Sequence, residues 1–320
     1  MYQAPGELCI NSIVKGMKIR VRGIKTMRRR LISVAIALLT LCLICSQALP
    51  QEQHNFLWKV ESETSTVYLL GSLHLFKKEF YPLNKAIEDA FEKSNILVVE
   101  ANITDPSPKN LQKWMEAALY SENDSVEKHV SKETFEFVRK EANRLGVPLD
   151  LIKRQRPWLL AITLEALSFI KLGFDPRYGI DAYFLTKAAG KKKISELEGV
   201  DDQFALLSGL SNDDQELLLL LTLRDSSRLN EQMDQLVKAW TTGDAKSMES
   251  LVTKSLKEDP RMSSIFEKLF DRRNGEMASK IEKYLKTKET HFVVVGAGHL
   301  VGDKGIVEIL KEKGYSIEQL

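Results

Sequence analysis

Hydrophobic and polar positions alternate along this chain with two different periods. Toward both ends, short apolar runs of strand length are closed by glycine or by an acid. Phe56-Leu57-Trp58-Lys59-Val60 and Thr66-Val67-Tyr68-Leu69-Leu70 read as strands joined by the polar turn Glu61-Ser62-Glu63-Thr64-Ser65. Pro82 can open a helix at its first position, with Leu83, Ile87, Ala90 and Phe91 on one face. The β-branched run Ile96-Leu97-Val98-Val99 follows and ends at Glu100, which predicts a βαβ unit with parallel strands. The far end repeats this plan, with a strand over 291–295, a helix over 304–313 closed by Gly314 and a last strand over 315–320.

Between about 107 and 285 the period changes to that of helices, clearest over 158–172, 179–189, 213–223 and 262–285. One strand interrupts this region, Lys193-Ile194-Ser195-Glu196-Leu197, which follows a helix closed by Gly190 and ends at Glu198. The run Leu217-Leu218-Leu219-Leu220-Leu221 is too short to span a membrane and reads as a buried helix. The expected fold is α/β: a mainly parallel central sheet built from two pseudo-repeated βα halves, with the helical region inserted over it. No low-complexity linker divides residues 56–320, so 49–320 is expected to form a single domain.

The residues before that domain read as a leader. Met27-Arg28-Arg29-Arg30, the apolar stretch from Leu31 to Cys45 and Ser46-Gln47-Ala48 are the basic, apolar and small-residue parts of a secretory signal. Cleavage after Ala48 would leave Leu49 as the first residue; an uncleaved anchor is the alternative, because the uncharged run reaches Pro50. Residues 1–26 fit no part of such a signal, and Met17 or Met27 could be the start. All three cysteines (Cys9, Cys42 and Cys45) fall in the leader, so the mature chain has no disulfide, thiolate metal site or cysteine nucleophile. Export to a periplasmic or extracellular space is expected. With a net charge of +2 and dispersed lysines and arginines, no basic stripe points to nucleic acid. The expected partner is a peptide or small-molecule substrate, and contact with a membrane would come only through an uncleaved leader.

The candidate chemistry lies where the strand-like runs end. Gly71-Ser72-Leu73-His74-Leu75 and Gly296-Ala297-Gly298-His299-Leu300 share a Gly-x-x-His-Leu pattern, while His54, His129 and His291 have no glycine three residues earlier. Residues just past the carboxyl ends of parallel strands are where open α/β sheets place their ligands. His74, Glu100 and His299 would meet there, and two imidazoles with a carboxylate form a ligand set for Zn²⁺, Mn²⁺, Co²⁺ or Fe²⁺. A metal-free site is the alternative, with a histidine as general base beside a carboxylate. The glycines would let the backbone turn sharply and come close to the site. Glu198 has the same strand-end placement and could be a ligand, a base or a surface charge. Arg272-Arg273-Asn274 could hold a substrate carboxylate or a developing oxyanion, or could simply form an exposed face. Asp181, in Tyr178-Gly179-Ile180-Asp181, reads as an ordinary acid at a helix start.

Several fragments occur in order: Gly-Ser-Leu-His, Val-Val-Glu-Ala-Asn, Tyr-Gly-Ile-Asp, Ser-Glu-Leu-Glu with Gln203 following, Arg273-Asn274-x-x-Met277 and Val-Gly-Ala-Gly-His-Leu. Together they resemble the TraB/GumN family, which includes the animal Tiki proteases and the bacterial pheromone-shutdown proteins, over about 54–320. The resemblance implies a fold of two βα repeats with helical insertions, shared with erythromycin-esterase-like and ChaN-like proteins. It implies metal-dependent proteolysis through His74, His299 and Glu100, with Arg273 and Asn274 lining the pocket. The resulting expectation is an exported hydrolase, metal-dependent and most directly a peptidase, in which Glu100 or Glu198 helps deprotonate a metal-bound water. A peptide- or glycan-sequestering protein and a metal-independent esterase-like hydrolase are the alternatives.

Overall fold

The computed structural model describes residues 54–102, 108–225 and 228–320. The expected leader over 1–48, with its signal and cleavage point, lies outside those residues. Among the described residues no helix is long and apolar enough to cross a membrane.

The apolar runs form strands β1 (Leu57–Glu61), β2 (Thr66–Ser72), β3 (Ile96–Val99), β4 (Lys193–Glu196), β5 (His291–Gly296) and β6 (Ser316–Gln319). They make one mostly parallel sheet in the order β4-β3-β5-β2-β1-β6. The β4–β3, β3–β5 and β5–β2 ladders are parallel, whereas β1 is antiparallel to both β2 and β6. β5 carries Phe292, Val293, Val294 and Val295, all fully buried, with no polar alternation. That is the pattern of a strand covered on both faces. It separates β2 from β3 and pairs with both, Leu70 facing Val294 on one side and Val99 facing Val294 on the other. The strands of the two Gly-x-x-His pentads are therefore immediate neighbours. The last strand lies on the far side of β1 and not beside β5. Its half-exposed alternation suits an edge position.

The first helix, α1 (Lys85–Lys93), starts three residues after Pro82. Asn84 begins it, its side chain accepting from the Ala86 N–H, a stronger start signal than the proline. Besides the helix Pro108–Ala118 and shorter turns, the middle region forms α2 (Lys132–Leu145), α3 (Pro157–Lys171), α4 (Ile180–Ala188), α5 (Val200–Ser208), α6 (Asn212–Asp225), α7 (Leu229–Thr241), α8 (Ala245–Val252), α9 (Met262–Phe266) and α10 (Arg272–Tyr284). After β5 comes α11 (Ile306–Glu312). The expected helix over 262–285 is interrupted by a π-helical segment, Glu267–Asp271, between α9 and α10.

The main apolar core surrounds the sheet, and a second one packs Val138 of α2, Leu160 and Leu164 of α3 and Leu219 of α6. Leu217 belongs to a third cluster with Met262 and Ile265. The leucine run of α6 thus sits between two clusters, which is why it is apolar on more than one face. Trp240 at the end of α7 ties the helical region to the sheet. Its buried Nε1–H donates to the Gly71 carbonyl at 2.6 Å, at the end of β2.

A Cβ at Gly71 would overlap the buried Phe56 ring and come within 3.1 Å of the Ala297 Cα. Gly71→Ala is accordingly expected to destabilise the fold by about 1–3 kcal/mol, the usual cost of overpacking a filled core. Chemical denaturation at neutral pH measures this. An unshifted midpoint would mean that Phe56 moves aside freely.

Candidate functional site

The strand order brings four groups to one edge of the sheet. Along β4, β3, β5 and β2, the chain emerges at Glu198, Glu100, Gly296–His299 and Ser72–His74 respectively. After β5 the segment Ala297–His299 winds as one 3₁₀ turn, which carries the His299 ring back over the sheet end. Neither Gly71 nor Gly296 has positive φ. These glycines supply space, not an unusual turn. A Cβ on Gly296 would lie 3.3 Å from the His299 ring, 3.4 Å from Glu100 Oε2 and 3.9 Å from His74 Nε2. One methyl would therefore touch or approach all three candidate groups.

His299 is buried. Asn274 Nδ2 donates to the Lys304 carbonyl at 2.9 Å, so Asn274 Oδ1 is the atom that accepts from His299 Nδ1–H at 2.6 Å. The Nε2 lone pair is left 3.8 Å from Glu100 Oε1. Burial pushes the His299 pKa down to about 4, against the pull of Glu100, so the ring is neutral at neutral pH.

His74 has the same Gly-x-x-His setting and the opposite environment. Its Nδ1 lies 2.8 Å from Asp181 Oδ2, an oxygen that also accepts from Ser72 Oγ. The Asp181 carboxylate raises the His74 pKa to about 9, while partial desolvation opposes it. The side chain is 65% exposed, so water screens part of this effect, but the direction favours imidazolium. Asp181 is held near the start of α4, whose Ile180 N–H donates to the Leu73 carbonyl at 3.0 Å. A Cβ on Gly179 would overlap the His74 carbonyl, so this helix end lies directly against the first pentad.

Glu100 is held by three hydrogen bonds. Oε2 accepts from the Gly296 N–H at 2.9 Å, and Oε1 accepts from Gln203 Nε2 at 2.7 Å and Arg273 Nη2 at 2.5 Å. Arg273 also grips Glu198 through Nε at 3.0 Å and Nη2 at 2.7 Å, and its Nη1 donates to the Leu269 carbonyl. Burial by itself would raise the Glu100 pKa; the surrounding imidazoles and guanidinium outweigh it and hold the group at about 2. With His299 neutral, Arg273 and His74 carry this compensation at neutral pH.

The structure thus gathers His74, Glu100, His299, Arg273 and Glu198. Arg273 does not lie on an exposed face; it is the counter-ion of two buried acids. Asn274 lies behind His299 instead of lining the pocket, its amide turned to His299 and Lys304, so it orients a ring and does not face an oxyanion. Sequence reasoning passed over Asp181 as a routine helix-start acid and gave Gln203 no role. The available signal was the position of Tyr-Gly-Ile-Asp among the ordered fragments.

Among the described residues, no group of three or more His, Cys, Asp or Glu side chains is placed to hold a metal ion. The donor chemistry accounts for this. Both Glu100 oxygens accept N–H donors, Arg273 already supplies positive charge at the carboxylate, and Asp181 favours a His74 with no lone pair on Nε2. To hold a divalent transition metal, the expected ligand set His74, Glu100 and His299 would have to give up the His74 Nε2 proton and part of the Glu100–Arg273 contact. These residues form the floor of a cavity of about 380 Å³ whose wall comes from α5, α7, α8 and the π segment.

A model of the TraB/PrgY/gumN family matches residues 56–319. The uncharacterised protein YbaP of Escherichia coli (strain K12) is 26% identical over 249 residues, which cover 76% of this chain and 87% of that protein. The protein named metalloprotease TIKI1 of Xenopus tropicalis is 22% identical over 323 residues, 85% of this chain and 63% of its own length. A metalloprotease TIKI homolog of Nematostella vectensis is 24% identical over 329 residues, 86% of this chain and 69% of its own. No solved structure gives a significant match.

Arg273→Met would leave Glu100 and Glu198 buried without their cation. A loss of about 3–5 kcal/mol is expected at neutral pH. In the wild type the depressed Glu100 pKa gives stability that is full above the ordinary carboxylate range and lost as pH falls toward 2. In the variant, burial unopposed by Arg273 raises the same pKa, so protonation relieves the defect. The difference between the two proteins should therefore narrow as pH drops from 7 to 4, measured by denaturation at each pH. A gap that is constant or widens in acid would contradict this account.

Proposed function

We propose a hydrolase from one premise: the chain belongs to the TraB/PrgY/gumN family. The bond cleaved is a peptide bond, a reading supported by the relatives named metalloproteases. One observation carries the reaction: two imidazoles from matching pentads line one cavity, each with Nδ1 held by a side-chain oxygen, in electrostatically opposite surroundings. Environments that separate the pKa values of paired groups assign the acid and the base.

His299, neutral with a free Nε2 lone pair, is the base. A water that donates to Nε2 and approaches Glu100 Oε1 loses a proton to the ring as its oxygen adds to the substrate carbonyl. The imidazolium so formed lies 3.8 Å from the ionised Glu100, which stabilises it. His74, kept protonated by Asp181, is the acid: its Nε2–H passes to the leaving nitrogen as the C–N bond breaks. The proton gained by His299 then replaces the one lost by His74, through solvent. Arg273 and Gln203 keep Glu100 ionised and in place, and Asn274 keeps the His299 lone pair on Nε2. This is the metal-independent alternative named from the sequence, applied to an amide. The basic and apolar segments of the leader support export, so this chemistry would take place outside the cytoplasm.

His299→Ala and His74→Ala are each expected to lower peptide turnover about 10²–10⁴-fold without loss of folding. The assay is mass-spectrometric detection of fragments from a peptide mixture, run with and without a chelator. Turnover that survives the chelator and falls in both variants supports the acid–base route. Turnover lost with chelator and restored by Mn²⁺, Co²⁺ or Zn²⁺ would overturn it in favour of a metal-activated water. Peptide bound and released uncut by the wild type would make the protein a sequestering one.

A further inference from the structure

The cavity has two unlike halves. Every ionisable side chain lining it (His74, Glu100, Arg273 and His299) belongs to the floor at the sheet edge. The opposite wall is aliphatic and aromatic: Leu207 from α5, Leu236 from α7, Met248 and Val252 from α8, and Leu269 and Phe270 from the π segment. The wall begins directly at the chemistry, because the Phe270 ring lies 5.1 Å from the His299 ring, tilted by 39°. Gly298 permits this closeness: a Cβ there would stand 3.0 Å from the Phe270 ring and 3.3 Å from each Val252 methyl. The π turn contributes as well. Its widened backbone offers the Leu269 carbonyl to Arg273 while Leu269 and Phe270 line the cavity.

A substrate group on this wall meets apolar surface and no counter-charge. Arg273 is committed to two carboxylates and His74 is paired with Asp181 on the floor, so the wall itself offers no cation to an acidic side chain. The wall likewise holds no acid to pair with a basic one. A volume of about 380 Å³ is near the lower end for small-ligand sites, roughly 300–1,000 Å³, and suits one bulky residue with its adjoining backbone.

We infer that this wall is the specificity pocket of the hydrolase, and that it takes a large uncharged apolar side chain on the residue beside the scissile bond, with Val252, Phe270 and Leu207 determining the choice. This rests on the hydrolytic reading of the floor, and the test separates the two. The probes are pentapeptides capped at both ends, alike except for a central Leu, Phe, Lys or Glu. Dissociation constants are measured on His74→Ala protein, whose altered residue is exposed, and cleavage rates on the wild type.

Leu and Phe peptides should bind at least about tenfold tighter than the Lys and Glu peptides, the effect of burying one large apolar side chain. Val252→Asp added to that protein should erase the preference and favour Lys. Leu207→Asp, on a different helix, serves the same purpose should the first fail to fold, with thermal melting as the check. Equal affinities, absence of binding by all four, or an apolar preference unchanged in a folded Asp variant would overturn the inference. Selective binding with no cleavage by the wild type would instead sink the hydrolase reading and leave the pocket standing.

Discussion

Two carboxylates buried side by side at the end of a sheet are untenable without a cation, and in this fold Arg273 is that cation. Glu100 and Glu198 emerge from adjacent parallel strands, so the topology forces them together, and the guanidinium between them comes from the helical region. Such triads contribute little net stability compared with an apolar substitute, but breaking one is costly. The arrangement therefore specifies geometry more than it adds stability. It docks α10 on the sheet edge at one register, which also sets Asn274, the next residue, behind His299. Without this pairing, neither the charge state of Glu100 nor the orientation of His299 would be defined.

From that constraint follows the asymmetry of the two pentads. They share a sequence pattern and lie on paired strands, yet the chain surrounds them differently. The second pentad turns back under the helices, where burial removes charge from the imidazole. The first remains open to solvent and meets Asp181, which favours charge. A repeated motif thus gives two chemically different groups within one cavity.

Much of this could be read from the chain because strand-end residues of parallel sheets must converge. The uninterrupted apolar run of β5 marked a strand buried on both faces, and the two glycine–histidine corners marked its edge. What could not be read was relational. Asp181 looks like any helix-start acid until the helix is seen packed against His74. Arg273 looks exposed because the acids that surround it lie 173 and 75 positions away. The pentad glycines suggested unusual backbone angles, but their φ values are ordinary, and the space they leave depends on side chains from elsewhere. The π turn carries no residue signature of its own, because it is defined by its backbone hydrogen bonding.

The apolar wall and the charged floor are not independent features. Aliphatic side chains above the sheet edge lower the local dielectric, which strengthens the hold of Arg273 on Glu100 and keeps His299 uncharged. On the proposed reading, the same surface also selects what enters. An apolar substrate group seated on the wall excludes water from the floor, so the field of Glu100 acts on a newly formed imidazolium with less screening. A charged group in that place would bring its hydration with it and weaken that interaction. Selection of the substrate and activation of the water would then arise from one property of the helical cover, its lack of charge.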